Sequence, residues 1–169
     1  MARDGSPHVM RRWNGVIDGA LAARVTDPAT MNPLPTTADA IVLRTDFSDD
    51  AIWRAVCQAS AAPSPGDGFL ANLTFVEDRA FEAAAVADVV VAAAASAQFR
   101  TFMFVVDTVT IGSSEHPVLV IDLADQPGRT FRVIPSEMWS VENNLSLANM
   151  DFDEFADAVD AAGIYRGFE

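Results

Sequence analysis

Carboxylates stand just past the C-terminal ends of the apolar runs of this chain. Asp46 follows residues 40–45, Glu77 and Asp78 follow the run that ends at Val76, Asp107 follows 101–106, and Asp122 and Asp125 follow 117–121. In an open α/β sheet, ligands bind outside the strand C-termini, and several converging oxygens suit Mg²⁺. Asp46, Asp107 and Asp122 are therefore the candidate metal ligands, with Arg44 or Arg132 placed to hold an anionic substrate beside the ion. The competing explanation is structural, because Asp is a preferred N-cap and turn residue wherever a strand hands over to a helix or loop.

A second candidate surface is the segment 136–146, in which Trp139 and Met138 are mixed with Glu137, Glu142, Asn143 and Asn144. So many amides make a poor helix unless their side chains have specific partners, so something constrains them. Either Trp139, Leu145 and Leu147 pack inward while the amides cap nearby backbone, or Trp139, Glu142, Asn143 and Asn144, with Arg132, form a recognition surface. Arg129 and Arg132 could also bind an anion or pair with nearby carboxylates. Cys57 shares a helical face with Trp53 and Val56 and reads as a small buried hydrophobe. His116 near Ser113 and Ser114 lacks the G-x-S-x-G elbow of a hydrolase, and His8 and His116 together make no zinc signature.

Composition removes other chemistries. All eleven positive charges are Arg and there is no lysine. A Walker A loop, a Schiff-base enzyme, a protein kinase and a phospho-receiver domain each need a lysine. No G-x-G-x-x-G turn follows an apolar run, so a dinucleotide fold has no support. The formal charge of −13 repels phosphate backbones, which argues against nucleic acid as a partner. A single cysteine permits no internal disulfide, and no run of 18 apolar residues exists to cross a membrane. The expected compartment is the cytoplasm.

The elements that must position these groups are legible as periodicities. Half of the 169 residues are apolar, enough for one packed domain. Residues 1–39 read as an N-terminal extension: an amphipathic helix carrying Trp13, Val16, Ile17 and Leu21, then a linker punctuated by Pro28, Pro33 and Pro35. Residues 40–169 read as a single three-layer α/β domain in the order β-α-β-α-β-β-β-α-α, with helices packed on a roughly five-stranded mixed sheet. Its strands are expected at 40–45, 69–76, 101–107, 117–122 and 129–134, the last two as a hairpin. Its helices are expected at about 46–62, 81–97, from 136, and from an N-cap at Asp151 to a stop at Gly163.

The strings Arg44-Thr45-Asp46-Phe47-Ser48-Asp49-Asp50, His116 to Leu123, and Trp139-Ser140-Val141-Glu142-Asn143-Asn144-Leu145 carry a resemblance. Over roughly residues 34–168 the chain resembles an uncharacterised family of small actinobacterial proteins. The resemblance implies a bacterial cytosolic domain and brings no activity or site with it. Two function classes follow from the residues themselves. One is a non-catalytic acidic binding or regulatory module for a protein partner, with no cofactor. The other is a Mg²⁺-dependent enzyme acting on a small phosphorylated or anionic substrate at the acidic edge, which requires the strands bearing Asp46 and Asp107 to be parallel neighbours.

Overall fold

The computed structural model describes residues 31–168. The amphipathic helix expected over residues 1–25 lies outside the described residues.

Short runs of β-branched and aromatic residues build the sheet. The strands are β1 (Ala40–Arg44), β2 (Leu73–Val76), β3 (Phe102–Val106), β4 (Val118–Asp122), β5 (Thr130–Val133) and β6 (Ile164–Tyr165), in the spatial order β2-β1-β3-β4-β5-β6. Every residue of β1, β3 and β4 is buried, as expected of strands covered on both faces. β1 is parallel to both β2 and β3, β4 is antiparallel to both β3 and β5, and β6 is parallel to β5. All strands but β4 therefore end at one edge of the sheet, here called the C-terminal edge. The opposite one is the N-terminal edge.

The helices are α1 (Asp50–Ser60), α2 (Val86–Ala94), α3 (Thr108–Gly112), α4 (Met138–Ser146) and α5 (Phe152–Asp157). From β1 the chain moves first to β2 and then back across to β3. Right-handed crossovers to opposite sides of β1 send their helices to opposite faces. Accordingly Trp53 and Val56 of α1 pack with Val42, Phe104, Val120 and Phe131, joined there by Met138 and Val141 of α4 and Phe152 and Phe155 of α5. Val89 of α2 packs on the other face with Ile41, Leu43, Met103 and Ile121. Leu34, between Pro33 and Pro35 of the expected linker, is buried in that second core, so the linker's end is part of the packing.

Four local expectations change. β2 begins at Leu73 rather than Phe69, because the Pro63–Gly68 turn closes on itself through Ser64 N–H to Phe69 O (2.7 Å), and pairing with β1 starts only at Ala40 with Leu73. The helix expected over 81–97 is split. Asp78 caps a short 3-10 turn at Arg79–Phe81, and Ala83 takes a φ of 60° that no right-handed helix accommodates. The last helix stops at Asp157, not at Gly163. The Asp160 carboxylate accepts the Ala162 and Ile164 N–H groups (2.8 and 3.0 Å), and this local turn delivers Ile164 and Tyr165 as β6 beside β5. β6 and α3, which follows the Asp107 N-cap, are additional elements.

Candidate functional site

The strand order reverses between β1 and β3, and an α/β sheet opens a crevice at such a switch point. Here it is a pocket of about 310 Å³ lined by Thr45, Ala83–Val86, Asp107 and Thr108, floored by Val105, Leu119 and Ile121. The left-handed Ala83 stands at its rim, held by a 2.9 Å bond from its N–H to Thr45 O.

On the α1 side of this edge, the last residue of β1 is an arginine with no exposed surface. Arg44 points to the face of Ala40 and Val42, whose core is built from apolar side chains, so its charge must be met at the strand end. Its Nε–H donates to Asp46 O (2.8 Å), Nη1 to Glu77 (2.7 Å) and Nη2 to Asp50 (2.7 Å). The guanidinium also lies 4.5 Å from the Phe47 ring centroid and 5.4 Å from that of Trp53. The Trp53 indole N–H donates to the second oxygen of Glu77 (3.1 Å). The hydrogen bond from Arg44 holds the Asp50 carboxyl below the usual carboxylate range. Asp46 accepts the Ser48 N–H (2.7 Å), and Asp49 caps α1 through Ala51 and Ile52.

On the α2 side, Asp107 and Arg132 form a two-pronged pair reaching across β4, at 2.6 and 3.1 Å. Arg132 also donates to Pro117 O, and Thr110 N–H donates to Asp107, which caps α3. Burial pushes the Asp107 carboxyl up, but the bonds from Arg132 and Thr110 together outweigh it and leave the group below its ordinary value. The His116 Nδ1 lies 2.9 Å from Thr110 O, and the residue sits at a φ of 49° in the turn before β4.

The strands bearing Asp46 and Asp107 are thus parallel neighbours, while Asp122 is at the other end of the sheet. β4 runs against β3, so Asp122 pairs with Phe102 at the N-terminal edge. There its carboxylate accepts the backbone N–H groups of Ala124, Asp125 and Gln126 and organises the turn into β5. The three proposed metal ligands do not converge. Among the described residues no group of three His, Cys, Asp or Glu side chains is arranged to hold a metal ion.

The second predicted surface is partly internal. Glu142 is buried and accepts the Asn72 N–H (3.0 Å) and the Ser146 hydroxyl (2.8 Å), fastening α4 to the start of β2. The Asn144 amide donates to Ser140 O, whereas Asn143 is partly exposed. The Trp139 ring stacks on Phe69 with centroids 5.2 Å apart. Arg132 stands at the other edge, with Asp107. Cys57 is partly buried, and burial pushes its thiol up to about 11, which keeps it protonated at neutral pH.

Sequence reasoning missed the exposed apolar side chains. Phe69, Leu70, Phe99 and Leu147 are 50, 57, 79 and 65% exposed. They lie on segments that meet near the N-terminal edge. Phe69 and Leu70 lead into Asn72, which bonds to Glu142. Leu147 follows Ser146, which lines a common groove of about 200 Å³ with Phe99. Their signal was weak, since an isolated apolar residue in a loop reads equally well as core.

Fold and edges define a mixed-sheet α/β protein with a switch-point crevice whose charged groups are bound to one another. The chain belongs to the family of a domain of unknown function, DUF6924, which matches residues 39–168. No curated protein matches it. Among the described residues, no helix is long and apolar enough to cross a membrane.

Proposed function

We propose that this protein is a non-catalytic, acidic binding module whose protein partner docks at the N-terminal edge, around Phe69 with Trp139, Leu70, Phe99 and Leu147. One observation carries the reading: Phe69, Leu70, Phe99 and Leu147 are left open at that edge, while Arg44 and Arg132 at the other are engaged with Asp50, Glu77 and Asp107. Aromatic anchors in a polar surround are what binding hot spots are made of. The net charge of −13 favours a basic partner, whose approach it accelerates, and disfavours nucleic acid and anionic membrane surfaces. The test is capture from a native lysate by the full chain and by a Phe69→Ser, Leu147→Ser double variant. A basic protein retained by the parent and lost by the variant supports the reading. A capture profile that the variant does not change overturns it.

A Mg²⁺-dependent enzyme remains the second reading, because the strands bearing Asp46 and Asp107 are parallel neighbours around a crevice. It predicts that millimolar Mg²⁺ or Mn²⁺ raises the melting temperature of the parent and not of Asp46→Asn or Asp107→Asn. An unchanged parent melt removes it.

A further inference from the structure

A chain with 24 acidic residues has carboxylates to spare for its arginines. Arg44, Arg79, Arg129, Arg132 and Arg166 each pair with at least one, while Arg54 lies exposed on α1 without an ion pair among the described residues. Arg100, just ahead of β3, meets no carboxylate among the described residues. Its Nη groups donate to Pro35 O (2.6 Å), Gln98 O (3.3 Å) and the Gln98 side-chain oxygen (3.3 Å), and its buried Nε has no hydrogen-bond partner. A cation satisfied only by neutral carbonyls keeps most of its attraction for an anion.

Arg100 also lines a pocket of about 510 Å³ between the C-terminal half of α2 and the connection that leaves β4. Val90, Ala93, Leu123 and Pro127 make its apolar wall, and the exposed Phe99 also lines it. Among the described residues α2 is the only α-helix on that face of the sheet, and its alanines leave room that longer side chains would fill. A concave apolar cavity of this size with a cation at one end is the usual form of a small-molecule site.

We propose that this pocket binds a small aliphatic monocarboxylate, with the hydrocarbon tail against Val90, Ala93, Leu123 and Pro127 and the carboxylate on the Arg100 guanidinium. The site goes beyond the protein-partner reading and does not depend on it. A neutral molecule of the same shape gains the apolar contacts alone. A charged head without a tail gains little against solvent.

The experiment is a thermal melt of the full chain at fixed ionic strength with butyrate, hexanoate and octanoate, and with 1-hexanol as the uncharged control. Hexanoate and octanoate at millimolar concentration are expected to raise the midpoint by about 2 °C or more by mass action, with butyrate and hexanol well below that. Arg100→Gln should lose the carboxylate-dependent rise. Because that change also removes the bonds to Pro35 and Gln98, Ala97→Phe provides a second test. Ala97 is exposed and lines the pocket, so the larger ring blocks it while leaving the core alone. Arg129→Gln, which lies away from this pocket, should respond like the parent. The proposal is overturned if no carboxylate shifts the parent, if hexanol shifts it as much as hexanoate, or if Arg100→Gln and Ala97→Phe both respond as the parent does.

Discussion

The two edges of the sheet handle polarity in opposite ways. At the C-terminal edge, charges are numerous and the buried ones are held by neighbours: Arg44 with Asp50 and Glu77, Arg132 with Asp107, Asp49 with the first turn of α1. At the N-terminal edge the buried charged groups are Glu142 and Asp122, which accept backbone N–H groups, Glu142 also the Ser146 hydroxyl. Four large apolar side chains, Phe69, Leu70, Phe99 and Leu147, remain in solvent there, against Val109 and Phe168 at the other edge. The difference follows from the strand ends. β1 finishes on a long cation that cannot be buried without partners, so acids from β2 and α1 gather around it. The N-terminal ends of β1 to β3 are reached by loops, whose apolar residues have no layer to enter. An edge whose arginines are paired serves stability, and an edge that leaves more apolar surface open is available for recognition.

If that division is right, removing Arg44 should have the largest effect. Arg44→Ala deletes a fully buried side chain and its partners' hydrogen bonds at once, and about 3 kcal/mol should be lost in urea unfolding. Arg44→Lys should recover only part of it, since an ammonium cannot reproduce the fork between Asp50 and Glu77. A loss below about 1 kcal/mol for the alanine variant would mean that the network contributes nothing beyond surface pairs.

The Asp107–Arg132 pair comes next. Asp107→Asn should cost about 1–2 kcal/mol near neutral pH, as a partly buried charge-assisted pair is lost. The pH dependence has a defined sign. The folded carboxyl sits below its unfolded value, so its stabilisation is complete above the ordinary carboxylate range and fades as pH falls through the lowered value. The gap between parent and variant should therefore be constant above about pH 5 and narrow in acid. A gap that widens on acidification would contradict the assignment.

Glu142→Gln probes the polar group that ties α4 to β2. It weakens one of two accepted hydrogen bonds, and a loss of about 1 kcal/mol is expected from thermal unfolding. Smallest of all should be Phe99→Ser and Leu147→Ser, each within about 0.5 kcal/mol of the parent, because both side chains are mostly in solvent already. If either costs as much as Asp107→Asn, the N-terminal edge is packed and the contrast between the edges collapses.

Much of this was legible before the chain was folded. The runs that became β1, β3 and β4 are continuous and apolar, and Asp49 and Asp151 precede amphipathic stretches as caps do. The carboxylates past the strand ends were equally visible. That Asp122 turns away from Asp46 and Asp107 was not, since strand direction depends on a pairing between residues far apart in sequence. The same limit applies to segment 136–146. Its composition announced that polar side chains there have partners: Asn144 reaches Ser140 within the helix, and Glu142 takes Ser146 and also Asn72, 70 residues away.

The sequence by itself determined the class of the domain, its acidity, the absence of lysine chemistry and most of its helix starts. These properties reside in composition or in windows of a few residues, where periodicity and side-chain capping act. Only the tertiary structure decided which charges neutralise one another, which edge each acid reaches, and that Arg100 is left with carbonyls beside an open pocket. Those outcomes depend on strand order and crossover direction, which bring together groups that no local pattern connects.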